Sequence, residues 1–307
     1  MKDYKKEAEV FDNQVKTRID NGFIPDLRRL KKVDWFYNNV WRDPEFVKIM
    51  LIPRVNFVID ILKERKGKVA EFGCGYGYLS LEIARNGMDV TGVDLSPYSI
   101  ELAKKFASEN TYKEGFGSLN YKCDNILTMD LGKEVFDSIV FFLSMHHLPD
   151  IEMVISKSYD ALKDGGNFII VEPIQDDIGK ATAEFILAIR SVLPTWIDYD
   201  KKTESIADNW DKRTHDILNE YLLEGEYTQS PNDNTCFSGK QMIKEIENKF
   251  VIKKLEYEGA FIDHIIGGLR GENKYKLAKI LKIIDDNMVR TGALMPGIIK
   301  IHATKSK

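Results

Sequence analysis

Residues 69–96 read VAEFGCGYGYLSLEIARNGMDVTGVDLS and place a glycine-rich loop between two apolar segments. The loop holds three glycines, Gly73, Gly75 and Gly77. The acid Glu71 precedes them, and Asp94 ends the second apolar segment. The pattern predicts a strand, a glycine turn, a helix and a second strand. Because a helix N-terminus offers unpaired N–H groups and a carboxylate after the second strand suits ribose hydroxyls, we expect a nucleoside-containing cofactor here.

The pattern of strand and helix continues along the chain. Short apolar runs occur at KVAEF, DVTGVD, SLNYKC, FDSIVFFLS and NFIIVEP, and later at VIKKLEYE and GIIKIHAT. Amphipathic segments near 78–86 and 97–109 separate the first runs, and another lies near 273–290. This alternation predicts an α/β fold, with a mostly parallel sheet and helices on both faces. Residues 174–236 interrupt it with an insert whose first part, 176–194, predicts a helix, and Pro53 is expected to divide an earlier helical region in two.

The amino-acid composition limits which kinds of partner we expect for this chain. The chain has 307 residues, 43% of them hydrophobic and 30% charged, with a net charge of −4. No basic stripe stands out, so we expect no nucleic-acid partner. Three distant cysteines, Cys74, Cys123 and Cys236, lack the spacing of a disulfide framework or a zinc site. The polar N-terminus and the lack of a long apolar run predict a cytoplasmic protein without a membrane partner.

Four ordered motifs resemble those of the class I S-adenosylmethionine-dependent methyltransferases. EFGCGYG and GVDLS resemble the first motif and its follower, and KCDNI resembles the segment that holds the adenine. FDSIVFFLSMHHLPD resembles the motif of the fourth strand, and ALKDGGNFIIVEP resembles the fifth strand. The resemblance covers 67–173 and, more weakly, 237–307. It implies a Rossmann-like sheet of seven strands with an antiparallel last strand, and S-adenosylmethionine as the cofactor with S-adenosylhomocysteine as product.

The resemblance also assigns cofactor contacts by position. Gly73, Gly75 and Gly77 would flank the methionine part, and Glu71 would organise the loop or contact the amino group. Asp94 would bind the ribose hydroxyls, and Leu95 would lie against the adenine. The adenine amino group would be accepted by Asp124, with Asn125 and Ile126 beside it.

The acceptor should lie where the strands end, near the glycine loop. His146 and His147 follow the fourth strand, and a neutral imidazole is a suitable base. We expect His147 to serve as the base, because a histidine before Leu-Pro resembles the position used by some small-molecule methyltransferases. Glu172 is a further catalytic candidate, for orienting the acceptor or binding a cation. His215 and His264 are weaker candidates, and no residue spacing calls for a metal.

The predicted domains are an N-terminal helical cap (1–66), a catalytic core (67–173 and 237–307) and a helical lid insert (174–236). The cap and the insert are expected to cover the acceptor. Their candidate lining residues are Tyr4, Phe11, Trp35, Tyr37, Trp196 and Trp210, with Arg18, Arg28 and Arg29 for an anionic acceptor. The insert could instead form a homodimer interface.

The sequence therefore predicts a methyltransferase that acts on an oxygen, nitrogen or carbon of a small molecule. Three alternatives stay open. They are a nicotinamide oxidoreductase, a protein or RNA methyltransferase, and a module that binds S-adenosylmethionine without catalysis. The glycine spacing and the HHLPD segment argue against the first.

Overall fold

The computed structural model describes residues 4–33, 39–176, 178–193, 209–222 and 238–306. Within these ranges one sheet comprises β1 (Lys68–Phe72), β2 (Asp89–Asp94), β3 (Ser118–Cys123), β4 (Phe136–Phe142), β5 (Leu162–Pro173), β6 (Val251–Glu258) and β7 (Ile298–Thr304). The strand order is β3-β2-β1-β4-β5-β7-β6, and β7 runs antiparallel to both of its neighbours. The other pairings are parallel. The predicted seven-stranded, mostly parallel sheet with an antiparallel last strand is confirmed.

Helices flank this sheet and connect its strands. They are α1 (Tyr4–Asp20), α2 (Pro44–Glu64), α3 (Tyr78–Arg85), α4 (Pro97–Ser108), α5 (Ile151–Ala161), α6 (Lys180–Val192), α7 (Trp210–Leu222), α8 (Gly239–Glu247) and α9 (Lys274–Thr291). The helix expected over 176–194 is α6, which is shorter at both ends. Across the described ranges, none of the helices combines the length and the apolar character needed to cross a membrane.

Successive strand residues point to opposite faces of the sheet, and both faces are buried. Val69 of β1 and Val140 of β4 pack with α2 and α3, whereas Ala70 and Phe141 pack with α5 and α8. A strand buried on both faces must be apolar at consecutive positions, which is why runs such as FDSIVFF predict a parallel sheet. Each large side chain that is fully buried in this way contributes about 1.5–3 kcal/mol.

Helix α2 contradicts the expectation that Pro53 divides this region into two helices. The helix runs unbroken through Pro53, which lies on its exposed side. Proline in a helix interior removes a hydrogen bond and costs about 3 kcal/mol. The apolar face of α2, which buries Val47, Leu51, Val58 and Leu62 against the sheet, offsets that cost.

The described helices of the insert pack away from the centre of the sheet. Ile186 of α6 and Ile217 of α7 share an apolar core with Phe46 of α2 and Phe261, which follows β6. Val192, the last residue of α6, lies outside this core and is 72% exposed. This core joins the insert to the N-terminal part of the chain.

A buried ion pair attaches the segment between α1 and α2 to α3. Arg85 of α3 donates to both carboxylate oxygens of Asp26, at 2.7 and 2.8 Å. The two side chains are 1% and 0% exposed. Burial by itself raises the pKa of Asp26, but the hydrogen bonds and charge of Arg85 lower it below its usual value. The pair therefore holds the chain that leaves α1 against α3.

Candidate functional site

A cavity of about 520 Å³ opens at the carboxyl ends of β1, β2 and β4. Most of the predicted cofactor residues line it, namely Glu71, Gly73, Gly75, Asp94, Leu95, Asp124, Asn125 and Ile126. His146 and His147 also line it, whereas Gly77 and Glu172 do not. Open α/β sheets bind ligands at this edge, so the cavity is the candidate site.

The glycines of the loop have different surroundings. Gly73, Gly75 and Gly77 all have positive φ, at 71°, 51° and 79°. A Cβ on Gly75 would have none of the described atoms within 4 Å, so this position leaves space for a ligand. A Cβ on Gly77 would lie 2.7 Å from Cζ of Tyr121 and 2.8 Å from Cβ of Ala103. Gly77 therefore permits close packing of α3 against β3 and α4, and it does not flank the cavity.

Asp94 holds the loop and the start of α4 through its carboxylate. Its Oδ2 accepts the N–H of Gly75 at 2.7 Å, and its Oδ1 accepts the N–H of Ser96 at 2.9 Å. Burial raises the pKa of Asp94, although these backbone hydrogen bonds act against the shift. A carboxylate oxygen accepts more than one hydrogen bond, so Asp94 can also accept hydroxyl groups of a ligand.

Glu71 lines the cavity from β1 and is 3% exposed. The hydroxyl of Ser80 on α3 donates to its carboxylate. Burial raises the pKa of Glu71 to about 8, and the nearby Asp94 acts in the same direction. Glu71 is therefore protonated at neutral pH, and a cation in the cavity would favour its ionised form.

The residues after β2 and β3 form one wall of the cavity. The N–H of Asp124 donates to the carbonyl of Asp94 at 3.0 Å, which holds the two strand ends together. The Oδ1 of Asn125 accepts the N–H two residues later at 2.9 Å and closes a turn. Leu95 and Ile126 add apolar surface to the same wall. Leu95 and Ile126 could pack on the faces of a flat heterocycle, and the carboxylate of Asp124 could accept a hydrogen bond from its amino group.

Glu172 is fully buried beneath the short 3-10 turn Met145–His147 that follows β4. Its Oε1 accepts the N–H groups of Ser144 and Met145, each at 2.8 Å. Its Oε2 lies 2.6 Å from Nδ1 of His146. Donors of the protein itself occupy this carboxylate, so Glu172 holds the turn, and it does not line the cavity.

His147 lies between α1 and His146. Its ring centroid is 5.1 Å from that of Phe11 and 3.9 Å from that of His146. Burial lowers the pKa of His147 to about 3, and His146 adds to the shift, so the ring is neutral at physiological pH. The two weaker candidates do not line the cavity, because His215 is exposed on α7 and His264 stacks on a tyrosine.

The catalytic core matches known proteins in sequence. Residues 70–170 match a family model described as a methyltransferase domain. Ubiquinone biosynthesis O-methyltransferase of Coxiella burnetii is 35% identical over 102 residues, which are 33% of this chain and 42% of that protein. Sterol 24-C-methyltransferase of Saccharomyces cerevisiae is 30% identical over 115 residues, 37% of this chain and 29% of that protein. The chain thus matches less than half the length of these curated relatives.

Solved structures match the fold over most of the chain. Geranyl diphosphate C-methyltransferase from Streptomyces coelicolor superposes with a TM-score of 0.54 and 12% identity, over 98% of this chain and 97% of that one. A putative sarcosine dimethylglycine methyltransferase from Galdieria sulphuraria gives 0.52 at 12% identity, over 96% and 98%. At these identities the similarity shows the fold. The sequence match is confined to residues 70–170, which are similar to a methyltransferase domain.

Helix α1, which precedes the matched domain in sequence, forms a wall of the cavity. Five of its residues line the cavity at helical spacing, namely Ala8, Phe11, Gln14, Val15 and Arg18. Phe11 and Arg18 were predicted from the sequence. Arg28 and Arg29, predicted with them, instead pair with Glu82 and Glu109 near the surface.

The remaining predicted lining residues lie elsewhere. Trp210 packs in the apolar core of α6 and α7. Trp35, Tyr37 and Trp196 lie outside the described residues, as do the side chain of Tyr4 and the cysteine Cys236.

Sequence reasoning missed several aromatic residues of the cavity. These are Trp41, Tyr76, Tyr78 and Phe142. Tyr76 and Tyr78 flank the third glycine, so the motif itself carried a signal for them. Among the described residues, no three His, Cys, Asp or Glu side chains are grouped as a metal site would require.

Proposed function

We propose that this protein transfers the methyl group of S-adenosylmethionine to a small-molecule acceptor. The observation that carries the proposal is the cavity at the strand ends, where the open position of Gly75 meets the carboxylate of Asp94. The relatives support it, since their names describe O-methylation in ubiquinone biosynthesis and C-methylation of a sterol. The S. coelicolor enzyme was solved with a geranyl diphosphate analogue and S-adenosylhomocysteine.

The lining of the cavity fits the cofactor part by part. The ribose hydroxyls would be accepted by Asp94, and the adenine would lie between Leu95 and Ile126 with its amino group at Asp124. The methionine part would pass Gly75, and its ammonium group would favour the ionised form of Glu71. When bound, S-adenosylmethionine supplies a methyl group that its sulfonium makes electrophilic.

The protein's own contribution is to orient the acceptor and exclude water. Because α1 lines the cavity, we assign it the role of a cap over the acceptor. The described helices α6 and α7 pack against the segment after β6, so in these ranges the predicted lid insert over 174–236 acts at a distance from the cavity. The division into cap, core and insert stays a prediction, as do a homodimer and a cytoplasmic location.

Calorimetric titration with S-adenosylmethionine, S-adenosylhomocysteine and NAD tests the proposal. We expect the first two to bind with about micromolar affinity and NAD not to bind. Binding of NAD alone would show a nicotinamide oxidoreductase instead. Binding of the cofactor without methylation of any acceptor in a broad small-molecule screen by mass spectrometry would indicate a module without catalysis.

Strand β2 has an aspartate at each end, and these two residues provide a test variant and a matched control. Asp94→Ala removes hydrogen bonds to a charged acceptor, and the loss of even one such bond, about 1.5–3 kcal/mol, should lower affinity by at least about 10- to 150-fold. Asp89 lies at the other end of β2 and is exposed, so Asp89→Ala should keep the affinity of the wild type. Equal affinities of the two variants would show that Asp94 does not hold the ribose.

A further inference from the structure

The strand ends of β4 and β5 form a second functional unit beside the cofactor site. Glu172, near the end of β5, is 0% exposed and reaches under the turn that follows β4. One carboxylate oxygen accepts two backbone N–H groups of that turn, and the other lies 2.6 Å from Nδ1 of His146. The imidazole therefore has a fixed partner on its Nδ1 side.

This contact sets which nitrogen of His146 can react. An ionised carboxylate only accepts hydrogen bonds, so a neutral His146 must carry its proton on Nδ1. The lone pair is then on Nε2. His146 lines the cavity and is 11% exposed, so its ring is accessible to a bound acceptor. The arrangement is that of a general base held by a carboxylate.

His147 has different surroundings. Its ring meets that of Phe11 of α1 edge to face, and burial lowers its pKa to about 3, which makes it a weak proton acceptor. The geometry therefore favours His146 over the histidine that the sequence favoured.

The wall of the cavity indicates the kind of acceptor. Six aromatic side chains line it beside aliphatic ones, and some of them contact one another edge to face: Trp41 packs on Tyr78 at 5.0 Å, and Tyr78 packs on Phe142 at 6.3 Å. Aromatic side chains favour an aromatic ligand through stacked or edge-to-face contacts. A phenolic hydroxyl has a pKa of about 10, so it is protonated at neutral pH and needs a base before it attacks a methyl group.

We propose that His146, oriented by Glu172, is the general base and that the acceptor is a hydroxylated aromatic molecule. This inference rests on the proposed methyltransferase function. The acceptor O–H bond breaks and its proton moves to Nε2 of His146, while the oxygen forms a bond to the methyl carbon. The bond between that carbon and sulfur breaks with its electron pair going to sulfur, which yields S-adenosylhomocysteine. The proton then passes from His146 to solvent.

The substitution Glu172→Gln tests the positioning role of this carboxylate. The amide oxygen of a glutamine can still accept the two backbone N–H groups, which keeps the turn. Its NH₂ group then faces Nδ1 of His146 and donates to it, so the proton of the ring moves to Nε2. The variant should retain its fold but present a nitrogen that cannot accept a proton.

The ¹⁵N NMR signals of His146 show which ring nitrogen carries the proton, and this measurement does not require catalytic turnover. In ¹⁵N-histidine-labelled protein saturated with S-adenosylhomocysteine, we expect the His146 signals of the wild type to show protonated Nδ1 and unprotonated Nε2. In Glu172→Gln the two should exchange, with His146→Gln used to assign the signals. The same tautomer in both proteins, or a doubly protonated ring in the wild type, would overturn the assignment. If Glu172→Gln does not fold, the wild-type tautomer and the kinetics of His146→Gln decide the question.

Kinetics test the base and the acceptor class together. The acceptors tested are phenols and hydroxybenzoates. Thiols, tertiary amines and alkenes are tested in parallel as representatives of other acceptor classes. We expect methylation of the phenols, with kcat lowered about 10²-fold or more in His146→Gln and Glu172→Gln and with smaller changes of KM. The loss should shrink for phenols with electron-withdrawing groups, because these are already ionised. His215→Gln, on the exposed side of α7, should keep wild-type rates.

Several outcomes would contradict the inference. If cofactor binds but no phenol is methylated, the acceptor class is wrong. If His147→Gln lowers kcat more than His146→Gln does, the base is misassigned. If neither S-adenosylmethionine nor S-adenosylhomocysteine binds, the proposed function itself fails, and the two failures are thereby distinguished.

Discussion

The glycine loop allows a stringent test, because two of its glycines should fail in different ways. Alanine at either position must adopt a positive φ, at 51° for Gly75 and 79° for Gly77, which costs about 1–2 kcal/mol. At Gly77 the added Cβ also meets Tyr121 and Ala103 at 2.7 and 2.8 Å. Overpacking of this kind costs about 1–3 kcal/mol more. We therefore expect Gly77→Ala to lower the free energy of unfolding by about 2–5 kcal/mol, and Gly75→Ala by about 1–2 kcal/mol.

Cofactor affinity should respond in the opposite order. The Cβ of Gly75→Ala occupies cavity space that the ligand needs, so a clash of about 1–3 kcal/mol should weaken S-adenosylhomocysteine binding by about 5- to 150-fold. Gly77 does not line the cavity, so the folded fraction of Gly77→Ala should bind within a few-fold of the wild type. Urea unfolding and calorimetry measure the two quantities. Equal stabilities of the variants, or wild-type affinity in Gly75→Ala, would refute the division of roles between the glycines.

Two further predictions concern charge. Arg85→Met leaves the carboxylate of Asp26 buried without its partner, so urea unfolding should show a loss of about 3–5 kcal/mol, whereas Lys48→Met, which breaks an exposed pair with Glu45, should change the stability little. Because burial raises the pKa of Glu71 to about 8, the folded protein without ligand retains a proton that the unfolded chain loses above about pH 4.3. Glu71 should therefore contribute a loss of stability with rising pH, of up to about 1.4 kcal/mol per unit between about pH 5 and 8, and Glu71→Gln should remove that contribution. An unchanged slope in the variant would show that Glu71 is ionised in the folded protein.

Local sequence predicts the elements of this fold well because the pattern of burial is local. KVAEF and VIKKLEYE coincide with β1 and β6. The exception is β5, which begins at Leu162, earlier than the expected Asn167. After Leu162 the strand continues with two charged residues and with Gly165 and Gly166, and the pairing with β4 shifts register there. Pairing through the backbone does not need apolar side chains, so no apolar run marks this part of the strand.

The sequence by itself determined the class of fold and the order of the cofactor motifs, because each motif is a short segment at a strand end and parallel strands bring those ends to one edge. Only the tertiary structure decided what each residue of the motif does. Gly75 and Gly77 are two positions apart, yet one adjoins the cavity and the other adjoins Tyr121, which comes from another strand. Glu172 and His146 meet because β4 and β5 are neighbours in the sheet. Contacts between residues that are distant in the chain depend on how the strands are arranged, and no local pattern encodes the direction of a single side chain at a strand end.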